Sequence, residues 1–180
     1  YATVNSSAGN ETIISTGNYT SLSGGNGADI ISVSSSAYGS TINGGKGNDI
    51  LTGSDYIDVF QFGNADGNDT ITNYNEHDII NLTGANAVVN SSVSGDNYVI
   101  RTSSGSITLQ DAADTPITVR YANGTLATLN NNINVITNYN NDTLISGTSG
   151  KDSVYNTGFN VTINSGAAMI LLLSTIIKLH

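Results

Sequence analysis

Apolar residues along this chain come in short runs, such as Thr12-Ile-Ile14, Asp29-Ile-Ile31 and Asp49-Ile-Leu51, each closed off by clusters of Gly, Asn and Ser. No segment repeats apolar positions at helical steps, so strands and turns are predicted throughout. The runs also recur. Gly24-Gly25-Asn26-Gly27-Ala-Asp29-Ile-Ile31-Ser reappears 20 residues later as Gly44-Gly45-Lys46-Gly47-Asn-Asp49-Ile-Leu51-Thr. It returns in altered form after another 20, as Asn64-Ala-Asp66-Gly67-Asn-Asp69-Thr-Ile71-Thr. Upstream, Gly9-Asn-Glu11-Thr-Ile13 keeps the same frame with Glu in place of Asp, 18 residues before Asp29. A second apolar column, Leu22, Ile42 and Phe62, also steps by 20. Loop, strand, loop, strand at this period predicts an all-β fold, a parallel β-roll (β-solenoid), with Ile13, Ile31, Leu51 and Ile71 facing Leu22, Ile42 and Phe62.

Composition narrows the chemistry. There is no cysteine in 180 residues, which removes disulfide scaffolds and thiolate metal sites. Five basic residues stand against 14 acidic ones, for a formal charge of −9, and no basic cluster is present to follow a phosphate backbone. Nucleic acid is therefore not an expected partner. Asp groups that the coil brings together would lack side-chain counter-ions, and a hard divalent cation is the natural substitute.

The repeat does not run the whole length. It covers residues 1–83; residues 84–126 read instead as an antiparallel β-meander flanking the roll. There Asn90-Ser-Ser-Val-Ser-Gly-Asp-Asn-Tyr-Val-Ile100 and Arg101-Thr-Ser-Ser-Gly-Ser-Ile-Thr-Leu109 alternate around Ser-Gly-Asp and Ser-Ser-Gly turns. Residues 127–167 restart the loop pattern in register with the beginning. Gly9, Gly17, Leu22 and Gly25 correspond to Gly150, Gly158, Ile163 and Gly166, all 141 apart. Residues 168–180, Ala168-Met-Ile-Leu-Leu-Leu-Ser-Thr-Ile-Ile-Lys-Leu-His180, break that register. Whatever codons are used, Met169 followed by Ile170 spells Asp from the third base of the Met codon. A shifted reading frame after Ala167 is therefore expected, and the coding DNA tests it: the alternate frame must continue the repeat. The apolar run is too short for a membrane span, which needs about 20 residues. Tyr1-Ala-Thr-Val-Asn-Ser-Ser lacks the basic and apolar regions of a signal peptide, so the chain is expected to belong within a longer protein, beside neighbouring repeats of its parent.

The two intact copies match G-G-x-G-x-D-x-U-x, where U is a large apolar residue, and on these residues the chain resembles the RTX (repeats-in-toxin) family, with hemolysin-type calcium-binding repeats. The resemblance implies a bacterial, secreted or cell-surface protein whose roll folds on binding Ca²⁺, with each ion shared between loops one turn apart. Carried over residue by residue, one site lies between Gly24, Asn26, Gly27, Asp29 and Gly44, Lys46, Gly47, Asp49. A second pairs the latter loop with Asp66, Gly67 and Asp69. A third, weaker one uses Glu11 below Asp29, and Asp152 belongs to a site whose partner loop is lost in the altered tail. Calcium is expected mainly on this edge, since Ser34-Ser-Ser-Ala-Tyr-Gly39-Ser on the other carries no Asp and Gly53-Ser-Asp-Tyr-Ile-Asp58 lacks two glycines.

The same residues allow a blander reading, because Gly-Asn-Asp also makes tight turns without metal. An enzyme is not expected: His77 in Asn75-Glu-His-Asp78 has no second well-placed His, and there is no Gly-x-Ser-x-Gly elbow. Two non-enzymatic alternatives remain. One is a structural or adhesin spacer stiffened by calcium; the other is a metal-independent ice-binding solenoid with a row at Thr12, Ser32, Thr52 and Thr72.

Overall fold

The computed structural model describes residues 1–129, 134–138, 141–142, 144–146, 152–156, 159–160, 162–164 and 170–174. It is all-β. Over residues 1–130 the strands run in chain order as β1 (Thr3–Asn5), β2 (Thr12–Ser15), β3 (Ser21–Asn26), β4 (Ile30–Val33), β5 (Thr41–Lys46), β6 (Ile50–Thr52) and β7 (Val59–Phe62). They continue as β8 (Gly67–Thr72), β9 (Ile79–Leu82), β10 (Val88–Ser94), β11 (Asn97–Thr102), β12 (Gly105–Leu109), β13 (Ile117–Arg120) and β14 (Leu126–Leu129). Up to β9, successive strands fall alternately on two sheets. One sheet orders them β1-β3-β5-β7-β9-β13-β14 and the other β10-β11-β12-β8-β6-β4-β2. Four two-strand turns, β1–β2 to β7–β8, stack in parallel, which makes the fold a parallel β-solenoid.

The inward column of one sheet is Ile13, Ile31, Leu51 and Ile71, paired residue to residue. The column opposite is Leu22, Ile42, Phe60 and Ile80. The expected Phe62 is thus one pleat off: Ile42 pairs with Phe60, an 18-residue step, and Phe62 pairs with Leu82. Both Phe side chains are buried, because residues two apart in a strand share a face. Each apolar side chain fully buried between the sheets contributes roughly 1.5–3 kcal/mol.

On the outer face of the second sheet, Thr12 pairs with Ile30 and Ile50, while Ile14 pairs with Ser32 and so with Thr52 and Thr72. The row anticipated for ice binding is therefore split between two columns, each interrupted by isoleucine. The hydroxyls of Thr72 and Thr52 are linked to each other at 2.8 Å.

The coil ends in antiparallel strands. The meander β10–β11–β12 adds its last strand in parallel to β8, with Gly105 opposite Gly67 and Leu109 opposite Ile71. On the other sheet β13 lies parallel to β9 and turns back into β14. The parallel pairing thus extends beyond residue 83 on both sheets.

Residues 131–180 form a second unit. It contains β15 (Asn134–Asn138), β16 (Leu144–Ser146), β17 (Asp152–Asn156), β18 (Thr162–Asn164) and β19 (Ile170–Ser174), in parallel sheets β15-β17-β19 and β16-β18. Ser153 pairs with Leu171 as Thr12 pairs with Ile30; 153 − 12 and 171 − 30 are both 141. The apolar tail therefore supplies a strand in the register of the repeat. No helix among the described residues is long and apolar enough to cross a membrane.

Candidate metal-binding edge

At one edge of the solenoid the chain leaves β3, β5 and the segment before β8 through Gly27, Gly47 and Gly67, all at positive φ, of 137°, 146° and 109°. The turns stack so closely here that a Cβ on Gly27 would lie 1.5 Å from the Gly9 carbonyl oxygen, and one on Gly47 1.7 Å from that of Gly27. Hydrogen bonds tie the turns together: Gly9 N–H donates to Asn26 O at 2.9 Å, Gly27 N–H to Lys46 O at 2.8 Å and Gly47 N–H to Asp66 O at 2.6 Å. The carbonyls of Asn26 and Lys46 thus face their neighbours. Each already accepts one bond and keeps a second lone pair.

Two residues past each corner glycine comes a buried Asp. Glu11 N–H donates to Asp29 Oδ1 at 2.7 Å, Asp29 N–H to Asp49 Oδ1 at 2.8 Å and Asp49 N–H to Asp69 Oδ1 at 2.9 Å. Every carboxylate therefore staples the turn before it. That role needs one acceptor oxygen, and an Asn would serve. The second oxygen marks the difference: Glu11 Oε2, Asp29 Oδ2 and Asp49 Oδ2 are buried with no hydrogen-bond partner. A Cβ on Gly24 would lie 2.1 Å from Asp29 Oδ2 and 2.7 Å from Gly44 O, and one on Gly44 2.1 Å from Asp49 Oδ2. The first glycine of each loop is thus required by the carboxylate that fills its side-chain space, since neither Gly24 nor Gly44 has positive φ.

Burial dominates the electrostatics. Desolvation pushes Asp69 up to about 7, with the neighbouring Asp49 and Asp66 charges adding to the rise. Asp49 and Asp66 are raised too, first by burial; Lys46 opposes the rise at Asp66. Buried acids with raised affinity for protons, as Asp49 and Asp69 are, can be discharged by a cation instead.

Asp66 stands apart from the Asp column, its Oδ2 accepting Gly63 N–H at 2.5 Å. Ala65, where the intact loops carry Gly25 and Gly45, also takes positive φ, 62°, a strain that marks the altered copy. Among the described residues no three His, Asp or Glu side chains converge for a metal, so an ion here would take two carboxylates at most, plus neutral oxygens. Asp152 opens β17, and residues 165–169 one turn on lie outside the described residues.

The opposite edge holds a second carboxylate column that the repeat pattern did not reveal. Ser40 N–H donates to Asp58 Oδ1 at 3.0 Å and Asp58 N–H to Asp78 Oδ1 at 2.8 Å. Here the other oxygens are satisfied as well, Asp58 Oδ2 by Ser54 N–H and Oγ at 2.7 and 2.6 Å, and Asp78 Oδ2 by Asn75 N–H at 2.9 Å. The 20-residue step from Asp58 to Asp78, each with a Ser or Asn three or four residues before it, was the available signal. His77 is exposed and its N–H donates to Asn75 Oδ1 at 2.9 Å. Set against protein-family models, curated proteins and solved structures, the chain matches none of them.

Proposed function

We propose that this chain is a calcium-binding module of a larger secreted or cell-surface bacterial protein, of the RTX kind its two intact repeats resemble. The observation that supports this most is the row of orphaned acidic oxygens on Glu11, Asp29 and Asp49. A buried ionised oxygen without a partner costs several kcal/mol in general, so an edge that accumulates three is built for a positive charge. Ca²⁺ suits the donor set, since it takes about six to eight oxygens and mixes carboxylates with carbonyls. Asp29 and Asp49, with the free lone pairs of loop carbonyls such as those of Gly44 and Lys46, would hold one ion; Glu11 and Asp29 a second; Asp49 and Asp69 a third. When bound, calcium supplies the charge that lets neighbouring turns close on one another. The Asp Oδ1 atoms and the corner glycines set the spacing of those turns.

A metal-free spacer is the second reading. It is favoured by the completeness of the backbone ladder, in which each Asp already has a stapling role through Oδ1.

Isothermal titration calorimetry of the whole chain at neutral pH separates the two. Calcium should bind and magnesium far more weakly, with Asp49→Asn reducing the number of ions because Asp49 borders two sites. No calcium heat at millimolar concentration leaves the spacer reading.

A further inference from the structure

The strand pairings of the two units superimpose in sequence, with one strand left over. Shifted by 141 residues, β1, β2, β3 and β4 fall on β16, β17, β18 and β19, and the registers agree. Val4 pairs with Leu22 as Ile145 does with Ile163, and Ile13 pairs with Ile31 as Val154 does with Leu172. Tyr19 and its counterpart Asn160 share positive φ, 53° and 55°. Among the described residues, β15 has no counterpart in the first unit. It pairs in parallel with β17 on the side away from β19, with Ile136 opposite Val154, and so takes the position that lies outside β2.

A short sequence repeat puts β15 on the same side of the coil as β2. Ile71-Thr-Asn-Tyr-Asn75, which leads from β8 toward β9, recurs unchanged as Ile136-Thr-Asn-Tyr-Asn140, which leads from β15 toward β16. In both, the next strand opens eight residues after the Ile, at Ile79 and Leu144. β8 shares its sheet with β2, β4 and β6, and Ile71 is in that sheet's inward column. β15 is thus a strand of the same kind, with an apolar residue at the level where the column continues.

β2 is not finished as a sheet edge. It is the last strand of its sheet among the described residues, and Thr12-Ile-Ile-Ser15 has no charge, proline or bulge of the sort that protects an open edge. Ile14 is 73% exposed, and Ile13, at 9%, is the least covered member of a column whose other members are at 0%.

We propose that the outer edge of β2 is the acceptor for a strand of the β15 kind, carried by a neighbouring 141-residue module of the same polypeptide. The strand docks in parallel, with its Ile-Thr-Asn at the level of Ile13, Ile14 and Ser15, and completes the first turn of the roll. It needs nothing from the acidic edge, so it stands or falls separately from the calcium reading.

Hydrogen–deuterium exchange of the full chain in millimolar Ca²⁺, read over Thr12–Ser15, tests this together with the melting temperature. Asp142 is the counterpart of Tyr1, so an added copy of residues 134–141 placed directly ahead of Tyr1 supplies the strand at the spacing of the second unit. The expected result is exchange slowed at least about tenfold in β2 and a melting temperature higher by about 3 °C or more. Both gains should vanish when the added copy alone carries Ile136→Asp, which puts a charge at the level of the apolar column. Equal exchange at β2 with and without the extension overturns the proposal, as do equal gains from the Ile136→Asp extension. Amides of β2 that are already protected in the unextended chain overturn it too; a dimer in sedimentation would then name a second copy as the occupant of the edge.

Discussion

Gly47→Ala should unfold the chain or cost it on the order of 4 kcal/mol, among the largest effects of any single methyl group. Two causes add. The residue sits at φ 146°, where an L side chain is strained, and its Cβ would lie 1.7 Å from the Gly27 carbonyl oxygen. That oxygen cannot retreat cheaply, because Gly27 N–H is bonded to Lys46 O and Gly47 N–H to Asp66 O in the same stack. Separating the turns would also pull Asp29 N–H from Asp49 Oδ1 and open the apolar columns above. Gly95→Ala is the control. It has positive φ, 63°, but nothing within 4 Å of the added atom, so the expected cost is about 1 kcal/mol, the backbone penalty alone. Urea unfolding of the two variants reads the difference directly. Equal, small losses in both would mean that the turns do not stack at the corner glycines.

The second large effect is on pH dependence in the absence of metal. Asp69 and Asp78, buried on opposite edges, are both pushed up to about 7, first by desolvation. The folded chain therefore binds protons more tightly than the unfolded one, whose carboxyls titrate near 4. Stability from these groups is fully present below about pH 4 and is lost as pH rises through 7. With each tenfold difference in proton affinity equivalent to about 1.4 kcal/mol, the pair contributes a loss on the order of 4 kcal/mol between those limits, allowing for relaxation around the charge. Asp49 and Asp66 are raised in the same direction and steepen it. In chelator the melting temperature should accordingly fall from pH 5 to pH 8. Calcium should restore the part that belongs to Asp49 and Asp69, and its apparent affinity should rise over the same range because it competes with protons. The part due to Asp78 should remain, since both its oxygens are already hydrogen-bonded and its column has no place for an ion. A chelated chain whose stability rises with pH would contradict the burial of these acids.

The solenoid was legible because its period is carried by residues that can do only one thing. Ile13, Ile31, Leu51 and Ile71 must share a face if the corner glycines stack, and Gly27 and Gly47 admit no side chain where they stack. Counting failed where a turn changed length on one side only. Leu51 to Ile71 is 20 residues, but Ile42 to Phe60 is 18, and with aromatic residues at both 60 and 62 the pattern cannot choose between them. The meander itself was readable, but its parallel docking onto the coil was hidden for a related reason: Gly105 stacks on Gly67 across 38 residues, with no Asp two positions on to signal the loop. At the candidate metal-binding edge, the acids and glycines were readable from spacing. What spacing could not show is that Gly24 and Gly44 are there to make room for a carboxylate, and that Asp58 and Asp78 have both oxygens occupied.

Thermal unfolding of the full chain at pH 7.5, in chelator, in millimolar Mg²⁺ and in millimolar Ca²⁺, puts the central claim to its most direct test. A calcium-loaded edge predicts a higher melting temperature in Ca²⁺ alone, and one that Asp29→Asn and Asp49→Asn each reduce toward the chelated value. Superimposable transitions in all three solutions would contradict it, and would leave the Asp columns as staples between turns and nothing more.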